Sequence, residues 1–197
     1  LKVINNNYDS RSNLLSITPQ NNISTSYLWD YDQKYPIANV TNAVQSDIAY
    51  TSFEADGKGN WMYTYPDEPQ VVGAVTGIRY LNVNSRDGNA TISKDNLQSG
   101  KKYIVSYWSK VNTPFSIIGG TGSHILGRNV SGWHFHKHIV NATASTISVI
   151  ANDDIDELRL YPLTAQMTTY TYEPLIGMTS QCDANNKITY YEYDSFG

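Results

Sequence analysis

Short runs in which apolar and polar residues alternate recur through the middle of the chain, between about residues 45 and 163. Clear examples are residues 77–83 (GIRYLNV), 102–109 (KYIVSYWS), 133–140 (WHFHKHIV) and 145–150 (STISVI). Alternation with a period of two predicts β-strands, because successive side chains of a strand point to opposite faces. Clusters of Gly, Asn, Asp and Pro separate the runs and predict turns. Many short strands at this spacing predict an all-β domain, either a sandwich or a jelly roll.

The two ends of the chain share a pattern of their own. Residues 21–27 and 185–191 both read Asn-Asn-x-x-Thr-x-Tyr. Because Asn tolerates the left-handed backbone of a tight turn, and alternating Thr and Tyr suit an outgoing strand, each segment predicts a β-hairpin. The dipeptides Tyr8-Asp9 and Tyr193-Asp194 mark strand ends, where the Asp side chain can accept hydrogen bonds from the turn that follows.

These terminal segments resemble the YD repeats of the RHS family, over residues 1–44 and 164–197. In that family such repeats wind into the β-sheet shells of large secreted or cell-surface proteins. The resemblance therefore implies that location, with the rest of a parent YD-repeat chain as a partner. One or two repeats cannot bury their own faces, so we expect the hairpins to pack on residues 45–163. Whether they also pair with each other stays open.

The middle of the chain resembles the non-catalytic carbohydrate-binding modules that have a galactose-binding-like jelly roll. The matching pieces are Ser52-Phe53-Glu54, Trp61, residues 103–110 (YIVSYWSK) and residues 155–158 (IDEL). The resemblance implies a jelly-roll β-sandwich flanked by YD-repeat β-hairpins, and a glycan as a partner.

The same resemblance implies a structural Ca²⁺ ion where the first and last strands of the jelly roll lie together. Glu54 and Asp156 match the positions of its carboxylate ligands, and the loop around Thr76 and Gly77 would supply backbone carbonyls. Ca²⁺ takes about six to eight oxygen ligands, which a corner of loops and carboxylates can provide. The alternative is that Glu54 and Asp156 are surface carboxylates that never meet.

Three histidines, His134, His136 and His138, alternate with the apolar residues of the run 133–139. If the apolar residues face the core, the histidines face solvent or a groove. Imidazoles on one face of a strand stand roughly 7 Å apart, which is long for sharing a Zn²⁺ ion. Sugar contact, binding of a transition metal and an ordinary solvated strand face are the three alternatives.

The aromatic residues divide into a predicted core set and a predicted surface set. Apolar strands and a preceding turn place Trp61, Trp108 and Trp133 in the core. Exposed aromatic rings are what a sugar-binding face requires, since pyranose rings pack on them. The candidates are Tyr63, Tyr65 and Tyr107, and the alternative for them is ordinary cross-strand pairing.

The charge, the apolar runs and the cysteine count of the chain limit the functions that it can have. The chain has 14 basic and 18 acidic residues, and no block of Lys or Arg long enough to follow a phosphate backbone, which argues against nucleic acid as a partner. No apolar run approaches the length of a membrane span. The single cysteine, Cys182, cannot form an internal disulfide.

Sequence motifs of catalysis are lacking as well. Residues 119–122 are glycine-rich but have neither a Walker nor a dinucleotide-binding pattern. We therefore predict a non-catalytic carbohydrate-binding module of a large secreted or cell-surface protein. The alternative is a structural spacer or protein-interaction module of the β-shell without a glycan ligand. A glycan-cleaving enzyme that uses Asp153, Asp154, Asp156 or Glu157 ranks third.

Overall fold

The computed structural model describes residues 4–20, 23–64, 70–83 and 88–194. Within these residues seventeen strands form four sheets, and the one helical element is a 3-10 turn at Gln45–Asp47. The prediction of an all-β chain is confirmed. In chain order the strands are β1 (Ile4–Tyr8), β2 (Leu14–Pro19), β3 (Thr25–Asp30), β4 (Tyr35–Thr41), β5 (Ala49–Thr51), β6 (Gln70–Val71), β7 (Arg79–Tyr80), β8 (Ala90–Lys94), β9 (Lys102–Ser109), β10 (Ser116–Ile118), β11 (Gly120–Val130), β12 (Trp133–Ala142), β13 (Ile147–Ala151), β14 (Ile155–Pro162), β15 (Gln166–Glu173), β16 (Gly177–Cys182) and β17 (Ile188–Tyr190).

The strands from both ends of the chain join one seven-stranded antiparallel sheet. Its order is β1-β2-β3-β4-β15-β16-β17. The junction is the pairing of β4 with β15, in which Thr41 lies opposite Gln166 and Ala38 opposite Thr169. The N-terminal and C-terminal hairpins therefore do pair, through β4 and β15. The chain between these two neighbouring strands forms the remaining sheets.

Two of those sheets pack face to face as a β-sandwich. One has five strands in the order β11-β12-β9-β14-β5, and the other has three in the order β10-β13-β8. A two-stranded ribbon, β6 with β7, forms a separate small sheet, and Leu81, the residue after β7, makes an isolated bridge to Ile155 of β14. Buried side chains from both sheets form the core between them, including Val105, Leu158 and Leu160 from the five-stranded sheet and Ile92 and Val149 from the three-stranded sheet.

The seven-stranded sheet covers the other face of the five-stranded sheet. A second core cluster joins Ile104 and Tyr161 of the five-stranded sheet to Ile37, Val40 and Met167 of the seven-stranded sheet. Because β9 and β14 lie between two layers, β14 is buried at every position and β9 at every position after Lys102. Strands that are covered on both faces need apolar side chains on both, which explains the nearly continuous apolar runs in these segments.

A β-bulge in β14 sets the direction of two acidic side chains. Asp156 lies opposite Trp108 and Arg159 opposite Ser106, so one extra residue is accommodated on β14. Glu157 takes up the irregularity with a positive φ of 52°. A bulge re-aims side chains relative to the regular alternation. Asp156 and Glu157 consequently both bond to groups on the outer side of the five-stranded sheet, away from the sandwich core.

Candidate functional site

The residues predicted as calcium ligands lie around one loop, residues 75–79. One oxygen of Asp156 accepts the backbone N–H groups of Val75 at 2.8 Å and Thr76 at 3.0 Å. One oxygen of Glu54 accepts the backbone N–H groups of Ile78, at 2.8 Å, and Arg79. Gly77 lies between, and a Cβ atom there would come within 2.4 Å of the Glu54 carboxyl carbon. The structure thus brings Glu54, Gly77 and Asp156 together across 102 residues of sequence, from position 54 to position 156.

Burial raises the pKa of both carboxyl groups. Loss of solvating water raises the pKa of Glu54 from 4.5 to about 7, and the two N–H bonds from the loop offset only part of this effect. Burial, together with the neighbouring Glu157, raises the pKa of Asp156 well above 3.8. A nearby cation would counter both effects, because opposite charge favours the ionised form.

The groups of the loop that contact these two carboxylates are backbone N–H donors. A calcium ion needs oxygen ligands, whereas the loop presents backbone N–H groups to Glu54 and Asp156. In the part of the chain that the structure describes, no three or more His, Cys, Asp or Glu side chains form a group that could hold a metal ion. The two carboxylates hold this loop through its N–H groups, and calcium binding stays a prediction.

A buried ion pair beside this loop joins the sandwich to the seven-stranded sheet. Glu157, which is 2% exposed, accepts hydrogen bonds from Nη2 of Arg159 at 2.6 Å and from the Thr169 hydroxyl at 3.0 Å. Its other carboxylate oxygen accepts the hydroxyls of Tyr50 and Thr76. Sequence reasoning did not assign this role to Glu157, since it depends on the bulge in β14. In the sequence, the one indication of an ion pair was the order Glu-Leu-Arg at residues 157–159.

The side chains of His136 and His138 on β12 face the core, contrary to the prediction. His136 is 0% and His138 is 8% exposed, whereas Phe135 and Ile139 on the other face are only half-buried. The expectation failed because both faces of this sheet are covered. Polar partners make the burial tolerable: His136 bonds the carbonyl of Val111, and His138 lies 3.2 Å from a Tyr hydroxyl. Burial lowers the pKa of His138 from 6.5 to about 4.

The third histidine of the run, His134, is half-buried and lies 3.1 Å from Asn129 through its Nε2 atom. It does not take part in the buried cluster of His136 and His138. The two histidines predicted to bind a ligand, His134 and His136, thus lie in different surroundings.

Of the predicted surface tyrosines, neither Tyr63 nor Tyr107 is fully exposed. The expectation that Tyr107 is exposed is wrong: it is 0% exposed and stacks on Phe115 at 4.6 Å between ring centroids. Tyr63 is half-buried, with its ring edge-on to Phe53 at 5.9 Å. Tyr65 lies outside the described residues. The core assignment is confirmed for Trp61, Trp108 and Trp133, which are 3%, 0% and 2% exposed.

An aromatic cleft of about 540 Å³, which sequence reasoning missed, opens where the seven-stranded sheet meets the sandwich. The rings of Tyr35 and Tyr172 stack with centroids 4.8 Å apart, and Tyr31 stands edge-on to both, at 5.8 and 5.7 Å. Tyr35 and Tyr172 are far apart in sequence, and they meet because β4 pairs with β15. The Tyr31-Asp32 dipeptide, a further Tyr-Asp pair, was the available signal.

Charged groups line the same cleft as the rings. Glu54 and Arg79 come from the sandwich side, and Asp32 and Lys34 come from the turn between β3 and β4. Asp32 is already paired, with Arg11 at 2.7 Å and with Lys34 at 3.2 Å. The cleft therefore combines flat apolar rings with a few hydrogen-bonding groups, which is the general composition of small-molecule sites.

Comparison with models of known protein families, with curated proteins and with solved structures returned no significant match to this chain. Among the described residues, no helix has the length and apolar character required to cross a membrane.

Proposed function

We propose that this chain is a non-catalytic glycan-binding module of a secreted or cell-surface protein, with a galactose-binding-like jelly roll set into a YD-repeat sheet. The sugar binds in the aromatic cleft. The observation that carries the proposal is the wall of Tyr31, Tyr35 and Tyr172 together with Glu54 and Arg79 in one cleft.

The cleft offers contacts both to the apolar C–H groups and to the polar hydroxyls of a sugar. The C–H groups of a pyranose ring pack on a tyrosine ring, and its hydroxyls take hydrogen bonds from a guanidinium and give them to a carboxylate. The cleft volume of about 540 Å³ lies within the range of roughly 300–1,000 Å³ that small-molecule sites occupy. The tyrosines of this cleft are not among the predicted candidates Tyr63, Tyr65 and Tyr107.

A structural spacer without a glycan ligand is the second candidate, and a specific observation favours it. The same rings contribute to the packing of the seven-stranded sheet: the N–H of Tyr172 donates to the Tyr31 hydroxyl at 3.0 Å, and the Tyr172 hydroxyl donates to the Pro36 carbonyl at 3.0 Å. Rings that serve only to join β3, β4 and β15 need no ligand.

A glycan array followed by calorimetry on the best ligand separates the two candidates. We expect Tyr35→Leu and Arg79→Gln each to weaken binding by about tenfold, since one stacked ring or one charged hydrogen bond contributes about 1 kcal/mol or more. Melting midpoints of each variant separate lost binding from lost stability, because Tyr35 also packs on Tyr31 and Tyr172. The control is Tyr8→Leu, which alters an exposed tyrosine of β1 that does not line the cleft. Absence of any glycan ligand would favour the spacer, whereas equal affinity in all three variants would mean that the glycan binds outside the aromatic cleft.

The calcium prediction belongs to the same proposal and has its own test. Calcium that binds only the native state raises the melting midpoint by mass action. We expect a higher midpoint in calcium than in chelator for the wild type, and the same midpoint in both for Glu54→Gln. Equal midpoints for the wild type would mean that Glu54 and Asp156 hold the loop at residues 75–79 alone.

A further inference from the structure

We propose that His124 and His136 form a two-nitrogen site for a divalent transition-metal ion, best suited to Cu²⁺. The two side chains come from the neighbouring strands β11 and β12. Atom Nε2 of His124 lies 3.0 Å from atom Nδ1 of His136. The site is separate from the aromatic cleft and does not depend on glycan binding.

The hydrogen bonds around His136 fix which of its nitrogens is free to bind a metal. Its Nε2 lies 2.9 Å from the carbonyl oxygen of Val111, and a carbonyl can only accept, so Nε2 carries the proton. The hydroxyl of Ser109 donates to the same carbonyl at 2.8 Å and lies 3.1 Å from Nε2. Nδ1 therefore presents its lone pair to His124. Metal-binding histidines usually hold their second nitrogen in this way, with its N–H bonded to a carbonyl.

His124 completes the pair by a change of tautomer. In the metal-free arrangement its Nε2–H donates to Nδ1 of His136, because His136 can only accept there. A metal ion displaces this proton from Nε2, and the proton moves to Nδ1 of the same ring. Both rings then remain neutral, as metal ligation requires.

The separation of the two nitrogens favours one coordination geometry. Two metal–nitrogen bonds of about 2.0 Å that meet at a right angle place the nitrogens about 2.8 Å apart, and at a tetrahedral angle about 3.3 Å apart. The observed 3.0 Å lies between these values and closer to that of the right angle. Neighbouring ligands at right angles are typical of tetragonal Cu²⁺ and Ni²⁺ sites, and Cu²⁺ binds nitrogen ligands more tightly than Ni²⁺ or Zn²⁺.

Water can reach the pair from the side of His124 and supply the remaining ligands. His136 is 0% exposed, but His124 is half-buried and borders a cavity of about 190 Å³, which has room for several water molecules. His138 also lines this cavity, yet its Nε2 is already engaged. The hydroxyl oxygen of Tyr107 accepts the N–H of Phe115 at 2.6 Å, so its proton is directed to His138. The protein thus contributes two ligands, in keeping with the lack of any larger metal-binding group among the described residues.

The test uses the whole chain without an affinity tag, titrated with CuCl₂ and followed by calorimetry and electron paramagnetic resonance. We expect one equivalent of Cu²⁺ to bind, with a spectrum split by two equatorial imidazole nitrogens and with tighter binding than Zn²⁺. His124→Gln should weaken binding by about tenfold or more, since it removes one of two ligands. The lost bond corresponds to at least about 1.4 kcal/mol.

His134→Gln is the matched control, because His134 lies on the same strand but outside the pair. It should leave the affinity and the nitrogen splitting unchanged. The proposal is overturned if the wild type binds no Cu²⁺, if His124→Gln binds as tightly as the wild type, or if His134→Gln loses the binding instead. Melting midpoints of all three proteins without metal show that each is folded.

Discussion

A buried carboxylate at the end of β3, Asp30, makes the stability of the fold depend on pH. The side chain is 4% exposed, and one of its oxygens accepts the N–H groups of Tyr31 at 2.7 Å and Gly57 at 2.8 Å. Loss of solvating water outweighs these two bonds and raises the pKa of Asp30 from 3.8 to about 6. Because one pKa unit corresponds to about 1.4 kcal/mol, ionised Asp30 destabilises the native state by about 3 kcal/mol.

Because the pKa of Asp30 is higher in the native state than in the unfolded state, protonation of Asp30 stabilises the fold. Between about pH 4 and pH 6 the native state holds a proton on Asp30 that the unfolded state has lost. The contribution of Asp30 to stability is therefore greatest below pH 4 and is lost as the pH rises through about 6. Asp30→Asn keeps one oxygen to accept both N–H groups but does not titrate.

The assay is urea unfolding of the wild type and Asp30→Asn at pH 4 and pH 8, followed by tryptophan fluorescence. Relative to the wild type, we expect the variant to gain about 2.4 kcal/mol more at pH 8 than at pH 4, because the unfolded state has already lost part of its Asp30 protons at pH 4. Any constant difference in hydrogen-bond strength cancels in this comparison. Glu192→Gln, which alters an exposed carboxylate, is the control and should show no such change. If the difference between Asp30→Asn and the wild type is the same at both pH values, the reasoning about burial is wrong.

Three further substitutions or reactions test other parts of the fold. Leu158→Ala, in the sandwich core, should lower the free energy of unfolding by about 2–5 kcal/mol in urea titrations, whereas Leu175→Ala, at a fully exposed turn, should change it by less than about 0.5 kcal/mol. Gly59→Ala should destabilise by roughly 3 kcal/mol or more in the same titration. Its φ is +51° and the added Cβ would lie 1.6 Å from the Tyr50 carbonyl oxygen. Cys182 is 1% exposed and burial raises its pKa to about 11, so a thiol reagent should modify it far more slowly in the native protein than in denaturant; equal rates would contradict its burial.

The local sequence pattern was sufficient to predict many of the β-strands and part of the core. The run at residues 102–109 became β9, and the alternating run that begins at Trp133 became β12. Trp61, Trp108 and Trp133 are buried as predicted, because an apolar residue in an apolar strand has few alternatives. The Asn-Asn segment at residues 185–191 turns into β17, in agreement with the backbone freedom of Asn.

The side of each strand that faces the core was not determined locally. Alternation in β12 shows that the histidines share one face, but which face is covered depends on the other sheets. Here the three-stranded sheet covers the inner face of the five-stranded sheet, so His136 and Tyr107 on that face are buried. The prediction that they are exposed was wrong, because burial of a strand face depends on which sheet packs against it and not on the sequence of the strand.

The sequence by itself determined that this chain is built of short antiparallel strands, since strand alternation and turn residues act over a few positions. Only the tertiary structure decided which distant groups meet. The pairing of β4 with β15 brings Tyr35 to Tyr172, and the bulge at Glu157 turns that carboxylate toward Arg159 and Thr169. These contacts depend on the register between strands and on the order of the layers, which are set by burial over the whole chain and leave no local pattern to read.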